Sequence, residues 1–236
     1  MRKLNGFFQF VAAGSLASAC FAGFQTHAAQ TPAQLIEAPK PKEALSPESA
    51  LSEARGLSQQ GKFDEAIAKL EALALKDPEL RGLAHELGAT YYKKSDYLKA
   101  VASFKKALEE DPKDNEAIQL MGLSYYLAGR PAEAIGPLEK VQTWYPTANV
   151  DAAYILGICY MQTKDYPSAR KAFAKMFAVP VDSAASYLFT ARMLLRQDFG
   201  LVAEEYAKKA VELDPKLPLA HALLGELYLY KSRSSA

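Results

Sequence analysis

Two histidines lie outside the N-terminal segment, and imidazole can serve as a metal ligand or as an acid and base near neutral pH. His85 and His221 are far apart in the chain. Neither has a histidine four residues away or a neighbouring cysteine, as a zinc-binding pair would need. We therefore expect both to be solvated or to face a groove, and we expect no metal site and no cofactor.

The other reactive side chains do not form a catalytic constellation. The acidic pairs Glu109–Glu110 and Glu204–Glu205 lie near lysines at exposed helix phases, as solvated faces do. Cys159 lies among apolar residues of a predicted helix, which indicates a small buried or half-buried residue and not a reactive thiol. The sequence has no Gly-x-Gly-x-x-Gly, P-loop or Gly-x-Ser-x-Gly motif. These observations predict that the protein is not an enzyme.

Composition and charge exclude further classes of function. The chain has 236 residues, is half apolar and carries a net charge of +1. A nucleic-acid binder needs a basic stripe to neutralise phosphates, so this balance argues against that class. Two cysteines, Cys20 and Cys159, are too few for a disulfide framework.

Residues 1–29 are predicted to be a signal peptide. Arg2 and Lys3 precede an apolar stretch of limited length, Phe7–Phe24, and cleavage is expected near Ala28 or Ala29. Alternatively, Leu16–Cys20 loosely resembles a bacterial lipobox, which would make Cys20 a lipid anchor. We expect an exported bacterial protein, periplasmic or secreted, without a membrane span after cleavage.

Residues 30–48 are predicted to be a proline-rich linker. Pro32, Pro39, Pro41 and Pro47 fall within it, and proline fixes φ and lacks an amide donor, so no helix should run through it. The composition is typical of an extended, semi-rigid spacer.

The remainder, residues 49–236, follows a pattern with a period of 34 residues. Gly122 lies 34 positions after Gly88, and Ala134 lies 34 positions after Ala100. Within each copy, apolar residues recur in steps of three and four, which predicts two helices separated by a short polar turn. The copies have approximate boundaries of 47–80, 81–114, 115–149, 150–183 and 184–217, with a partial copy at 218–236.

This pattern resembles the tetratricopeptide repeat (TPR). The resemblance rests on Leu87, Gly88 and Tyr91 of one helix, on Ala100 and Phe104 of the next, and on their counterparts in other copies. It implies an all-α fold, a right-handed superhelical solenoid of antiparallel helix pairs, with about five full repeats plus one trailing helix. It also implies a protein–protein interaction scaffold with a concave binding groove.

In this family, certain positions of each first helix build the ligand face. Carried over by phase, they include Tyr92, Leu120, Leu123, Tyr126, Leu127, Tyr154, Ile158, Met161, Phe189 and Arg192. The resulting groove has an apolar, aromatic middle, which predicts binding of an apolar or amphipathic segment of another protein. Two alternatives are that several of these residues pack between neighbouring repeats, or that the linker folds over them. The basic residues do not match the set with which some TPR domains grip a C-terminal carboxylate.

The last predicted helix, from Leu219 to Tyr230, is apolar almost all round. A terminal repeat normally has a polar outer face, so we expect a partner or a second copy to cover this helix, or the sequence to be a fragment. Two alternatives to the scaffold stay open: the recognition part of a larger enzyme, and a self-associating structural protein of the cell envelope.

Overall fold

The computed structural model describes residues 46–145 and 150–234. The predicted signal peptide, the cysteine of the possible lipobox and nearly all of the predicted linker lie outside these ranges. The described residues form eleven α-helices and no strand. Their bounds are α1 Pro47–Gln59, α2 Phe63–Lys76, α3 Leu83–Lys93, α4 Tyr97–Glu110, α5 Asn115–Leu127, α6 Pro131–Trp144, α7 Val150–Gln162, α8 Tyr166–Met176, α9 Ala184–Arg196, α10 Gly200–Leu213 and α11 Pro218–Ser234.

The helices stack in chain order. Each helix packs against the next, and the first helices of successive pairs also touch, α1 with α3, α3 with α5, α5 with α7, and α9 with α11. The first helices therefore share one face of the stack, which we call the inner face. Five helix pairs followed by α11 confirm the predicted fold class.

The start of the array differs slightly from the sequence-based boundary. Helix α1 begins at Pro47, inside the predicted linker, with Ser46 as its N-cap; the Ser46 side chain accepts a hydrogen bond from the Ser49 amide. Proline is tolerated at the first helical position because its missing amide would have no helical partner there. The prediction that proline excludes helix was therefore wrong at this one residue.

A residue with positive φ ends the turn inside every helix pair. These residues are Gly61, Ser95, Gly129, Lys164 and Asp198. In each case the following amide donates to a carbonyl in the last turn of the first helix, as in Asp96 N to Tyr91 O at 2.9 Å. This is the left-handed C-terminal motif that satisfies the end carbonyls of a helix. It recurs with the repeat period even where glycine is replaced.

Close approach within the second, third and fourth pairs explains the glycines at Gly88, Gly122 and Gly157. A Cβ at Gly88 would lie 2.6 Å from Phe104 Cδ1, and one at Gly122 would lie 2.9 Å from Leu138 Cγ. Gly157 faces Phe173 in the same manner. The small residue of each second helix is fully buried, as expected, at Ala66, Ala100, Ala134, Ala169 and Ala203.

The junction between the fourth and fifth pairs depends on a buried arginine. Arg170 of α8 is 9% exposed and donates to the Val181 carbonyl and, at 3.2 Å, to Asp182 Oδ1. Its guanidinium also lies 4.3 Å from the centroid of the Tyr187 ring. These contacts tie the loop before α9, and Tyr187 of α9, to α8.

Candidate partner-binding face

The inner face begins with a cavity of about 540 Å³ that we call the charged cavity. It lies between the first helices of the first three pairs, α1, α3 and α5, and the end of α4. Ionisable side chains dominate its lining: Arg55, Arg81, His85, Glu86, Lys93, Glu110, Asp111, Asp114 and Glu116. The first helices thus place polar groups at this end of the face.

Two side-chain pairs order the charged cavity. Arg55 Nη2 lies 2.6 Å and Arg55 Nε 2.8 Å from Glu86 Oε1, which joins α1 to α3. His85 Nδ1 lies 2.6 Å from Asp114 Oδ2, while Asp114 Oδ1 caps α5 by accepting from the Ala117 amide at 2.9 Å. His85 therefore faces the groove, which is one of the two placements that the sequence predicts; the other is full exposure to solvent.

The balance of charge in this cavity is acidic. Five carboxylates face three cationic side chains when His85 is neutral. Glu116 extends from the start of α5 with 69% of its side chain exposed. An opposite charge at short range is favourable where water is partly excluded, so the cavity suits a basic side chain. No group of three or more His, Cys, Asp or Glu among the described residues could hold a metal ion.

The second part of the inner face is apolar, and we call it the apolar strip. It consists of the sequence-predicted residues that keep exposed surface, namely Tyr92, Leu120, Leu123, Tyr126, Leu127, Tyr154 and Phe189. Leu127 has 45% of its surface exposed, and the others are partly buried. Arg192 is exposed on α9 beyond them. The structure thus brings eight of the ten candidates to the surface of the first helices.

The other two candidates are placed differently. Ile158 and Met161 of α7 are 1% and 0% exposed, and they belong to the core that also contains Leu188 and Ala191 of α9. Their prediction as groove residues was wrong, because α9 of the next repeat covers that side of α7. They hold neighbouring repeats together, which was the alternative that the sequence left open.

Burial also affects two tyrosines of the apolar strip. The pKa of Tyr126 is raised, mainly because burial disfavours the charged phenolate, with smaller contributions from Cys159 and Tyr154. Burial raises the pKa of Tyr92 as well, and its ring lies 6.1 Å from that of Tyr97 in an edge-to-face arrangement. Both hydroxyls therefore stay protonated near neutral pH and can donate a hydrogen bond to a bound segment.

Sequence reasoning missed Phe177. This residue caps the end of α8, outside the helical periodicity that identified the other candidates. Its ring centroid lies 4.5 Å from that of Phe189, and 37% of its surface is exposed. The pair forms an aromatic surface at the junction of the fourth and fifth repeats. Because Phe177 follows the last residue of α8, the helical periodicity of the sequence does not identify it as a surface residue.

No helix within residues 46–145 or 150–234 has both the length and the apolar character needed to cross a bilayer. Cys159 is fully buried, as its sequence context predicts.

Comparison with known sequences identifies the repeat. The family "Tetratricopeptide repeat" matches residues 51–115, and "Anaphase-promoting complex, cyclosome, subunit 3" matches residues 93–176. The photosystem I assembly protein Ycf3 of Synechococcus sp. (strain CC9902) is 33% identical over 121 residues, which cover 49% of this chain and 70% of that protein. The human intraflagellar transport protein 88 homolog is 30% identical over 105 residues, 42% of this chain but only 12% of its own length.

Solved structures agree with the architecture. MamA (MSR-1) superposes with a TM-score of 0.55 at 19% identity, covering 73% of this chain and 99% of MamA. YrrB, described as a TPR protein with an unusual peptide-binding site, gives 0.54 at 20% identity, covering 74% of this chain and 90% of YrrB. At such identities the likeness concerns the fold. Together with the repeat period, the paired helices and the sequence relatives, it shows that the chain belongs to the tetratricopeptide repeat family.

Proposed function

We propose that the chain is a non-enzymatic interaction scaffold whose inner face binds one amphipathic segment of a partner protein. The observation that carries the proposal is that the apolar strip and the charged cavity draw residues from the same first helices. Both features use α3 and α5, so a single bound segment could contact both. An apolar patch of this kind on a folded protein is typical of a binding surface.

The two parts of the face suit different ends of such a segment. Leu123, Tyr126 and Phe189 offer partly exposed apolar and aromatic surface, and interfaces gain much of their affinity from a few anchors of this type. The charged cavity, with its excess of carboxylates, suits a lysine or arginine beside the apolar residues. The partner segment therefore combines an apolar stripe with a basic end.

The relatives support a role in assembly without identifying the partner. Ycf3 is named for the assembly of photosystem I, and YrrB is described as having a peptide-binding site. TPR proteins in general act by holding segments of other proteins, and the same use is proposed for this face.

A site-specific photocrosslinker tests the proposal. Benzoylphenylalanine in place of Leu127 should capture a partner in the native compartment, and Tyr126→Ala or Phe189→Ala should reduce that capture. The matched control carries the crosslinker in place of Leu201, a residue of the second helix α10 that is 74% exposed. The captured peptide should contain apolar residues and a lysine or arginine.

A charge reversal tests the acidic end separately. Glu116→Lys should weaken binding, and the difference from wild type should shrink at high salt because exposed charges are screened. Equal crosslinking from positions 127 and 201 would contradict the proposal. So would unchanged capture by a folded Tyr126→Ala variant.

We also infer that residues 1–29 direct export across a bacterial inner membrane. The support is the basic start followed by the short apolar stretch Phe7–Phe24. N-terminal sequencing of the protein from fractionated cells should give a first residue close to Ala29. A lipid-modified N-terminal Cys20 would replace this inference with an anchored form, and an intact Met1 would overturn it.

A further inference from the structure

The inner face carries two arginines on α9, and we call Arg192 and Arg196 the arginine pair. They lie one helical turn apart, and both are exposed. They occupy the repeat phases that Leu123 and Leu127 occupy on the apolar strip. The same two rows of positions therefore carry leucine in the third repeat and arginine in the fifth, so the character of the inner face changes from apolar to basic along the stack.

The arginine pair has no anionic partner within the part of the chain that the structure describes. Helix α9, Ala184–Arg196, contains no acidic residue. Glu226 has the phase of Arg192 on α11 and is exposed, and it forms no ion pair with either arginine. Arg55 of the charged cavity, by contrast, is held by Glu86 at 2.6 Å. The guanidinium groups of the arginine pair therefore keep their N–H donors for a ligand.

An aromatic surface adjoins the arginine pair. Phe189 precedes Arg192 by three residues, a spacing that places both side chains on one side of α9. The Phe189 ring centroid lies 4.5 Å from that of Phe177, which has 37% of its surface exposed. Apolar contact beside a guanidinium excludes water and so strengthens its hydrogen bonds to a carboxylate. This end of the inner face thus suits an acidic side chain next to an apolar one.

The two ends of the inner face differ in charge, and one helix is long enough to reach both. The charged cavity has more carboxylates than cationic side chains, whereas the arginine pair is cationic. Packed helices lie about 8–10 Å apart, so the three steps from α3 through α5 and α7 to α9 cover about 24–30 Å. A helix of about 20 residues is about 30 Å long.

We propose that the arginine pair binds acidic side chains at one end of an amphipathic partner helix, an inference that rests on the proposed function of the inner face. The same helix carries lysine or arginine at its other end, in the charged cavity, and apolar residues between, on the apolar strip. Each end of the inner face repels the wrong end of the helix. Charge complementarity therefore determines the direction in which the partner helix lies.

A library of random peptides about 20 residues long, displayed with blocked C-termini, is the probe. It is selected in parallel on the full 236-residue chain and on its R192E/R196E variant. Peptides selected on wild type should carry aspartate or glutamate at one end and lysine or arginine at the other. Peptides selected on the variant should lack the acidic end. Because the C-termini are blocked, enrichment of acidic residues reports side chains and not a terminal carboxylate.

The affinity of one peptide selected on wild type, measured by fluorescence anisotropy, tests the contact itself. R192E/R196E should weaken binding by at least about tenfold, and lysine in place of the acidic residues of the peptide should restore binding to that variant. The matched control, K106E/K140E, makes the same change in net charge at exposed lysines of α4 and α6 and should leave affinity unchanged. Circular dichroism should show that both variants melt like wild type, because all four side chains are exposed.

Failure of this inference differs from failure of the proposed function. If no peptide is enriched, or if Y126A leaves the affinity of the selected peptide unchanged, the inner face is not the binding surface and both are overturned. If Y126A weakens binding but R192E/R196E does not, only the role of the arginine pair is overturned. Selection on wild type that yields no acidic end would overturn that role as well.

Discussion

Replacing Gly88 with alanine should destabilise the repeat array, although alanine is the better helix former. The added Cβ would lie 2.6 Å from Cδ1 and 2.7 Å from Cε1 of Phe104. The Phe104 ring is 0% exposed and packs in the core with Tyr91 and Ala100. Because the ring is fully buried and the approach is below 3.0 Å, either the ring or the two helices of the second repeat must shift.

The two opposing effects can be weighed. Alanine in place of glycine inside a helix contributes about 1 kcal/mol of stability, whereas overpacking a core costs about 1–3 kcal/mol. The net loss should therefore reach about 2 kcal/mol at the upper end of that range. For a domain of this size that corresponds to a decrease in Tm of about 4–8 °C.

Thermal and urea unfolding, followed by circular dichroism, measure the effect. Gly56→Ala is the matched control, since an added Cβ meets nothing within 4 Å, and it should raise stability. Phe104→Leu should relieve part of the loss in Gly88→Ala, because a Cβ at the equivalent Gly122 would lie 2.9 Å from Leu138, a milder overlap than the 2.6 Å between a Cβ at Gly88 and Phe104. Equal stabilisation by Gly88→Ala and Gly56→Ala would refute the close-approach explanation of the repeated glycines.

Three further predictions concern pH, thiol reactivity and the junction of the fourth and fifth repeats. Burial, together with the hydrogen bond to Glu71, raises the pKa of Tyr91 from 10.0 to about 12. Because the folded state favours the neutral phenol, the contribution of Tyr91 to the free energy of unfolding is fully present below pH 10 and is lost as the pH rises through about 12. Unfolding curves of wild type and Tyr91→Phe at alkaline pH will measure this loss. Burial raises the pKa of the Cys159 thiol to about 12, so it should resist a thiol reagent at about pH 8 until urea unfolds the chain, and rapid labelling of the native protein would contradict this. Arg170→Met should destabilise the array by about 1 kcal/mol, because the Val181 carbonyl loses a hydrogen-bond donor, whereas the exposed Asp182 carboxylate can turn to water. Limited proteolysis should then cut near residue 181, and unchanged protection there would contradict the role given to Arg170.

The array could be predicted from the sequence because the repeated constraint is local. Gly88, Gly122 and Gly157 each lower helix propensity at the same phase, and only close packing against a second helix explains such a choice. The positions of the turns followed from the same frame. The structure adds that the turn residue is left-handed even at Ser95 and Lys164, a backbone state that serine and lysine do not by themselves indicate.

The candidate site could be predicted only in part. Tyr154, Ile158 and Met161 share α7, and helical phase predicts all three to face the groove, yet Tyr154 keeps exposed surface while the other two lie in the core. The difference arises from α9, whose residues Leu188 and Ala191 share a core with Ile158 and Met161. Phase within one helix does not report how closely the next repeat approaches. The aromatic pair of Phe177 and Phe189 depends on the same junction.

The sequence by itself determined the paired-helix architecture and the small residues on which the helices pack, because those properties recur within each 34-residue unit. The tertiary structure decided which apolar residues stay exposed. It also showed that polar side chains from α1, α3 and α5 converge in one acidic cavity. Exposure and convergence depend on distances between residues of different repeats, such as the 2.6 Å between Arg55 and Glu86. Those distances follow from the packing of whole helices, which a periodic pattern along the chain does not encode residue by residue.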